Sequence, residues 1–364
     1  MKAMVATRKG LFELIRLNEG WKLDQISFLG EPVSMCLFDQ RDGAIFVALN
    51  LGHFGVKMHR RGARTRDWTE IGVPSYPPQP PKTEADSSDV EWKLKQIWSL
   101  EAGAKNESGV LWAGTHPGGL FRSKDGGNRW ELIESLWQKT ERLGWFGGGY
   151  DVPGIHSICI DPRDSRHVTL GISCGGVWQT KDAGETWVLS AKGMHAAYMP
   201  PELAENENTQ DPHLIVQCAA APDQFWCQHH NGIWRSTDNA ASWQQITPPY
   251  GISDFGFAVA VHPKDPNTAW FVPAVADQRR VPTQGALSVS RTRDGGKSFE
   301  SLRVGLPQLD CYDLIYRHGL AVSDDGQTLL MASTTGNLWV SEDAGDSWQA
   351  ISFHLPPVYA VKFC

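Results

Sequence analysis

Short apolar runs alternate with polar turns along the whole chain. Residues 155–191 show the plan: IHSICI, the turn DPRDSRH, VTLGIS, the loop CGG, VWQT, a polar turn, and WVLSA. Runs this short, rich in Val, Ile and Trp and bounded by Gly, Pro, Asp and Ser, are β-strands. The unit is therefore four consecutive strands, innermost first and outermost last. The same plan predicts the first three strands of a later unit at residues 256–262, 268–273 and 286–290.

The polar turn ahead of the fourth strand recurs. It reads SKDGGNRW at 123–130, TKDAGETW at 180–187, STDNAASW at 236–243, TRDGGKSF at 292–299 and SEDAGDSW at 341–348. Each copy keeps a hydroxyl residue, an Asp two places on and an aromatic five places after the Asp. An Asp side chain accepts hydrogen bonds from the backbone N–H groups just ahead of it, and a Gly takes up positive φ, so the chain reverses tightly. The aromatic then re-enters a strand and can bury its ring under the turn. From Trp130 through Trp187, Trp243 and Phe299 to Trp348 the steps are 57, 56, 56 and 49 residues. Counting backwards, Trp68 and Trp21 fill the two preceding positions without the Asp. Seven positions at the length of a decorated four-stranded blade predict an all-β, seven-bladed β-propeller, a single domain over residues 1–364. Residues 1–7 start at a second strand, and residues 358–363 form an innermost strand with no blade of its own. That strand is expected to close the first blade, removing exposed edges.

The repeated figure resembles the Asp-box of the BNR-repeat families, which include sialidases, seven-bladed xyloglucan hydrolases, sortilin-type receptors and photosystem assembly factors. The resemblance implies a propeller whose boxes sit at the outer edge of the blades. Asp125, Asp182, Asp238, Asp294 and Asp343 are then structural. Sialidases carry an arginine triad, an Arg-Ile-Pro and six blades; here there is no Arg-Ile-Pro, and Arg279, Arg280 and Arg317 are carboxylate binders at most, so sialidase activity is not expected. Xyloglucan hydrolases match in blade number but use two propellers facing each other across a cleft.

Composition narrows the partners. A formal charge of −7 and a pI near 5.9 argue against a nucleic-acid footprint, which needs a basic surface. No stretch of about 18 apolar residues exists, so a membrane partner is not expected. The opening MKAMVATRKGLFEL lacks the apolar core of a signal peptide. Seven cysteines, an odd number without a CxxC pair, read as buried thiols of a reducing compartment. The expected location is cytoplasmic.

The longest connections, residues 74–95, 135–154 and 192–212, all run from an outer strand to the next inner one and so decorate one face. Histidines gather in the loops and strand starts assigned to that face: His53, His116, His156, His213, His229, His230 and His318. Three readings follow. Neutral imidazoles from different blades, His53, His116, His156, His229, His230 and His318, would hold one divalent transition metal, as four histidines do in the carotenoid-cleaving propellers. Alternatively His53, His116, His156, His229, His230, His318, Arg279 and Arg317 would bind an anionic or polyhydroxylated small molecule such as a carbohydrate. The third reading has each His bonding nearby backbone and filling space. A glycosidase needs two carboxylates; Asp151 and Asp211 are the favoured catalytic candidates, with Asp254, Asp277 and Asp313 also in reach. Residues 145–154, WFGGGYDVPG, are a sugar-stacking platform or a lid, and the Pro-rich, acidic residues 75–89 a flap or a docking loop for a protein partner. The favoured function is a glycoside-hydrolase-like enzyme. A metal-dependent enzyme and a non-enzymatic, protein-binding scaffold are the alternatives.

Overall fold

The structure, a computed structural model, describes residues 1–81, 90–147 and 150–364. Seven four-stranded sheets build a seven-bladed β-propeller. The fourth blade follows the sequence plan: Ile155–Ile160, Val168–Ile172, Gly176–Thr180 and Val188–Leu189, paired antiparallel in that order. The sixth begins with Gly256–Val261 and Ala269–Pro273 as expected. Its third strand is Val289–Thr292 rather than residues 286–290. Its pairing with the second strand starts only where Ser290 meets Phe271, and the Leu287 N–H is given instead to the Pro307 carbonyl.

Two compact units divide the chain. One, Ser34–Pro212, carries blades two to four; the other, Met1–Val33 with His213–Cys364, carries blades one and five to seven. In the second of these Val358–Phe363 pairs antiparallel with Lys2–Thr7, setting Val361 beside Val5 and Ala360 beside Ala6. The closure read from the sequence is therefore present.

The five box turns share one hydrogen-bond scheme. In the first, Ser123 Oγ accepts from Gly127 N at 2.8 Å, and Asp125 Oδ1 accepts from Arg129 N at 2.9 Å. Two successive residues take left-handed backbone, Gly126 and Gly127 at φ 72° and 87°. The third copy puts Asn239 and Ala240 there instead, at 63° and 57°. The box hydroxyls Ser123, Thr180, Ser236, Thr292 and Ser341 are all buried. The carboxyls of Asp182 and Asp294 are held down at about 2: hydrogen bonds from Thr180 and Thr186 favour the ionised form of the first, and hydrogen bonds from Ser298 that of the second. These five acids are turn braces.

Behind the turns, tryptophans dominate the cores. Trp112, Trp178 and Trp187 pack with Ile155, Leu170 and Ile172 in one unit, and Trp270, Trp339 and Trp348 with Val289, Leu329 and Met331 in the other. Two of these indoles give their N–H to carbonyls, Trp178 to Gly175 O at 2.8 Å and Trp270 to Ala344 O at 2.8 Å. Five of the cysteines, Cys36, Cys174, Cys218, Cys227 and Cys311, are buried.

Candidate functional site

In the unit of blades two to four, an aromatic platform forms where strands Gln96–Ala102, Leu111–His116 and Ile155–Ile160 meet. The Trp98 ring lies 4.0 Å from that of His116 and 5.4 Å from that of His156. Both imidazoles are buried, and His156 Nδ1 is 2.8 Å from Ser157 Oγ. Tyr150, 47% exposed, rests its ring on His116 at 4.4 Å and presents an edge to Trp98 at 5.4 Å. Gly154 makes this possible. A Cβ there would fall 2.1 Å from His116 Cδ2 and 2.6 Å from Trp98 Cε3. Asp151, next to Tyr150, is exposed. Of the residues 145–154, Gly148 and Gly149 lie outside the described residues; Trp145 is buried, with its indole N–H on Asn208 Oδ1 at 2.9 Å.

Asp211 has a different setting. It is 3% exposed, and its Oδ1 accepts from Ser173 Oγ at 3.2 Å and Cys174 N at 3.0 Å. Tyr198 donates to Thr209 O at 2.6 Å; burial, then the nearby Asp211 and Cys174 charges, push its phenol well above the ordinary range. His53 is exposed in a short helical turn, Gly52–Phe54, its ring against Phe54. Of the stretch 75–89, residues 82–89 lie outside the described residues. Tyr76 is anchored: its hydroxyl is 2.5 Å from both Thr115 Oγ1 and Pro117 O, and burial pushes it up as well. Trp92 stacks edge-on to Trp137, over which the Arg142 guanidinium lies at 3.9 Å.

In the other unit the focus is Phe257, on the sixth blade's inner strand. His213 stacks on it at 4.4 Å, nearly parallel, while Phe255 and Tyr316 present edges at 5.4 and 4.9 Å. The guanidinium carbons of Arg280 and Arg317 stand 5.3 and 5.5 Å from the same ring. Arg280 pairs with Asp277 at 2.5 Å and donates to the Tyr316 hydroxyl at 3.2 Å. Burial works against its charge, yet those bonds outweigh it and raise its pKa. His213 Nδ1 meets the Gly256 carbonyl at 2.6 Å, and the His230 ring is 5.4 Å from that of His213.

The remaining candidates have local roles in the structure. His229 Nδ1 accepts from Asn231 N at 3.0 Å, bracing its own turn. Asp313 accepts from Cys311 Sγ at 3.2 Å and Asn337 Nδ2 at 2.8 Å; burial and then that carboxylate push the Cys311 thiol up to about 11. Asp254 gives its carbonyl to Gln228 at 2.8 Å. Arg279 is exposed, and Arg317 and His318 share a short helical turn, Arg317–Gly319. Sequence reasoning missed Trp98 and Phe257, which sit inside apolar strands and read as ordinary core.

No protein-family model matches the chain. The oligoxyloglucan-reducing end-specific xyloglucanase of Emericella nidulans is 26% identical over 224 residues, 53% of this chain and 25% of that protein. A xyloglucanase of Paenibacillus sp is 21% identical over 286 residues, 68% of this chain and 25% of that protein. The chain spans about a quarter of the length of the curated relatives it matches. Among solved structures, the GH74 xyloglucanase from Xanthomonas campestris superposes with a TM-score of 0.64 at 16% identity, covering 96% of this chain and 52% of that one. YCF48 bound to D1 peptide matches with a TM-score of 0.54 at 14% identity, over 93% of this chain and 88% of that one. At these identities the likeness to solved structures establishes the propeller fold.

Proposed function

We propose that the chain is a glycoside-hydrolase-like propeller that takes a carbohydrate-like ligand on the platform of Trp98, His116 and Tyr150. The observation that carries the reading is the half-exposed Tyr150 ring, backed by two buried rings and followed in sequence by the exposed Asp151. A sugar presents its C–H face to such a ring, burying apolar area while its hydroxyls remain in reach of polar groups. The carboxylate of the next residue, Asp151, would serve proton transfer to or from a glycosidic oxygen of a sugar stacked there. The xyloglucanase relatives supply the probe, a xyloglucan oligosaccharide. Calorimetric titration is expected to show binding that weakens about tenfold in Tyr150→Ala, the value of one lost stacking contact. Release of new reducing ends is expected to disappear in Asp151→Asn with affinity kept. Undiminished release in that variant removes Asp151 from the chemistry, and unchanged affinity in Tyr150→Ala removes the platform.

A protein-binding reading has one observation behind it. Val304, Leu309 and Tyr312, between the sixth and seventh blades, are 66%, 80% and 65% exposed, and one structural neighbour is seen with a bound peptide. A peptide-array screen with Leu309→Asp as control tests it; binding that ignores the substitution rejects this surface.

A further inference from the structure

We propose that Arg142, with Trp92 and Trp137, forms a binding site for the carboxylate of an acidic sugar, so that the saccharide this chain takes carries uronic acid units. The proposal rests on the carbohydrate reading above and adds a charge to it. All three residues belong to the compact unit Ser34–Pro212.

The Arg142 guanidinium carbon stands 3.9 Å from the centre of the Trp137 ring and 5.8 Å from that of Trp92. The two indoles meet at 5.2 Å, nearly perpendicular. Nε of Arg142 donates to the Trp137 carbonyl at 2.5 Å. The N–H groups on Nη1 and Nη2 meet no acceptor among the described residues. No carboxylate among them pairs with this cation, whereas Arg41 meets Asp39 at 2.7 Å and Arg163 meets Asp161 at 2.6 Å. Burial accordingly lowers the Arg142 pKa, while at Arg280 the same penalty is outweighed by the bonds to Tyr316 and Asp277. The buried indole N–H of Trp137 also lacks an acceptor. The cluster thus offers donors and a positive charge, and a bound anion would answer both.

Its parts are held in place beforehand. Asn208 Nδ2 donates to the Glu141 carbonyl at 2.8 Å, Trp145 N to the Arg142 carbonyl at 3.1 Å, and the Trp145 indole to Asn208 Oδ1 at 2.9 Å. The Tyr76 ring, anchored through its hydroxyl, packs on Trp137 at 4.9 Å. A cation fixed in this way loses little freedom when a ligand arrives.

A carboxylate fits the two outer nitrogens of a guanidinium as a bidentate acceptor. Trp92 and Arg142 are both half-buried, so part of each meets solvent. A hexuronic acid ring suits the pair, with an apolar C–H face for the indole and a carboxylate for the cation. A neutral sugar lacks the anion, and a small aliphatic acid lacks the face. Arg142 and Tyr150 also share one connection, between strands Glu131–Leu132 and Ile155–Ile160, which ties this cluster to the carbohydrate reading.

Calorimetric titration at low salt with trigalacturonate and with its methyl ester, the same saccharide without charge, provides the test. The acid is expected to bind about tenfold tighter than the ester, as one bidentate ionic contact allows, and to weaken as NaCl is raised. Arg142→Gln is expected to abolish the preference, and Arg142→Lys, which keeps the charge without the fork, to restore part of it. Trp92→Ala is expected to weaken acid and ester alike. Circular dichroism and melting temperature check the fold of each variant. Equal affinity for acid and ester in the wild type, or a preference that survives Arg142→Gln, overturns the proposal. Xyloglucan oligosaccharide separates it from the reading it rests on, since Arg142→Gln is expected to leave that binding unchanged. Binding of that neutral sugar through Tyr150 with no acid preference sinks this inference alone, whereas binding of none of the three saccharides sinks both.

Discussion

Replacing Ser236 by Ala tests whether the box hydroxyl, rather than the box Asp, is what holds each turn closed. Ser236 ends the third strand of the fifth blade, 1% exposed, and its Oγ accepts from Ala240 N at 2.9 Å while donating to Asp238 Oδ1 at 2.8 Å. Ala240 is itself fully buried, so removing the oxygen strands an amide that water cannot reach. Leaving such a donor unsatisfied costs about 1–3 kcal/mol, and the lost bond to an ionised carboxylate adds to it. The expected destabilisation is about 2 kcal/mol, a large part of the ~5–15 kcal/mol that typically separates folded from unfolded chains. The chain contains its own control. Thr180 and Thr292 occupy the equivalent place and accept from Gly184 N and Gly296 N at 2.9 Å each, so Ser236→Thr is expected to stay within about 0.5 kcal/mol of wild type. Urea unfolding followed by tryptophan emission reads both variants as midpoint shifts at unchanged slope. If Ser236→Ala unfolds with the wild type, or Ser236→Thr falls as far as the alanine variant, the hydroxyl is not the clasp.

Acid should open the same turns. The carboxyls of Asp182 and Asp294 sit at about 2 in the folded chain and near the ordinary ~3.9 in the unfolded one. Their stabilisation is complete above about pH 4 and is lost as pH falls towards 2, because the unfolded chain then binds the proton first. Melting temperatures measured from pH 7 to 2 should drop steeply over that window, and less steeply in Asp294→Asn; parallel curves would refute the assignment. At the closing strand, Val361 is buried and faces Val5 across the ladder. Val361→Asp places a charge in that core and is expected to cost at least about 3 kcal/mol, with faster proteolysis near both chain ends than elsewhere; uniform cleavage would argue against the closure.

How far the residues disclosed this molecule depends on the range of each interaction. The box turns were legible because the side-chain bonds that close them are local: the hydroxyl binds the amide four residues on, and the Asp binds the amide four beyond itself. Blade count followed from the spacing of those turns. The closing strand was legible as a remainder, an inner strand with no outer partners of its own. Where an apolar stretch pairs with a distant loop instead of its neighbour, local reading failed. Ala286, Leu287 and Ser288 look like strand, but Leu287 bonds to Pro307 and Gln308 through both its N–H and its carbonyl, so the sheet starts later.

The candidate sites were less legible, for a related physical reason. His229 and His230 are adjacent and were weighed alike, yet His229 ends a strand and His230 begins the turn after it, so their side chains have different surroundings. His229 is fully buried and turns back to accept from Asn231, whereas His230 is half-buried and reaches the ring of His213. Counting imidazoles therefore overstates a site, while the hydrogen bond on each ring nitrogen discriminates. A nitrogen that accepts a backbone N–H, as in His229, leaves the other nitrogen protonated and unfit for a metal. A nitrogen that donates to a carbonyl, as in His213, leaves the other one basic.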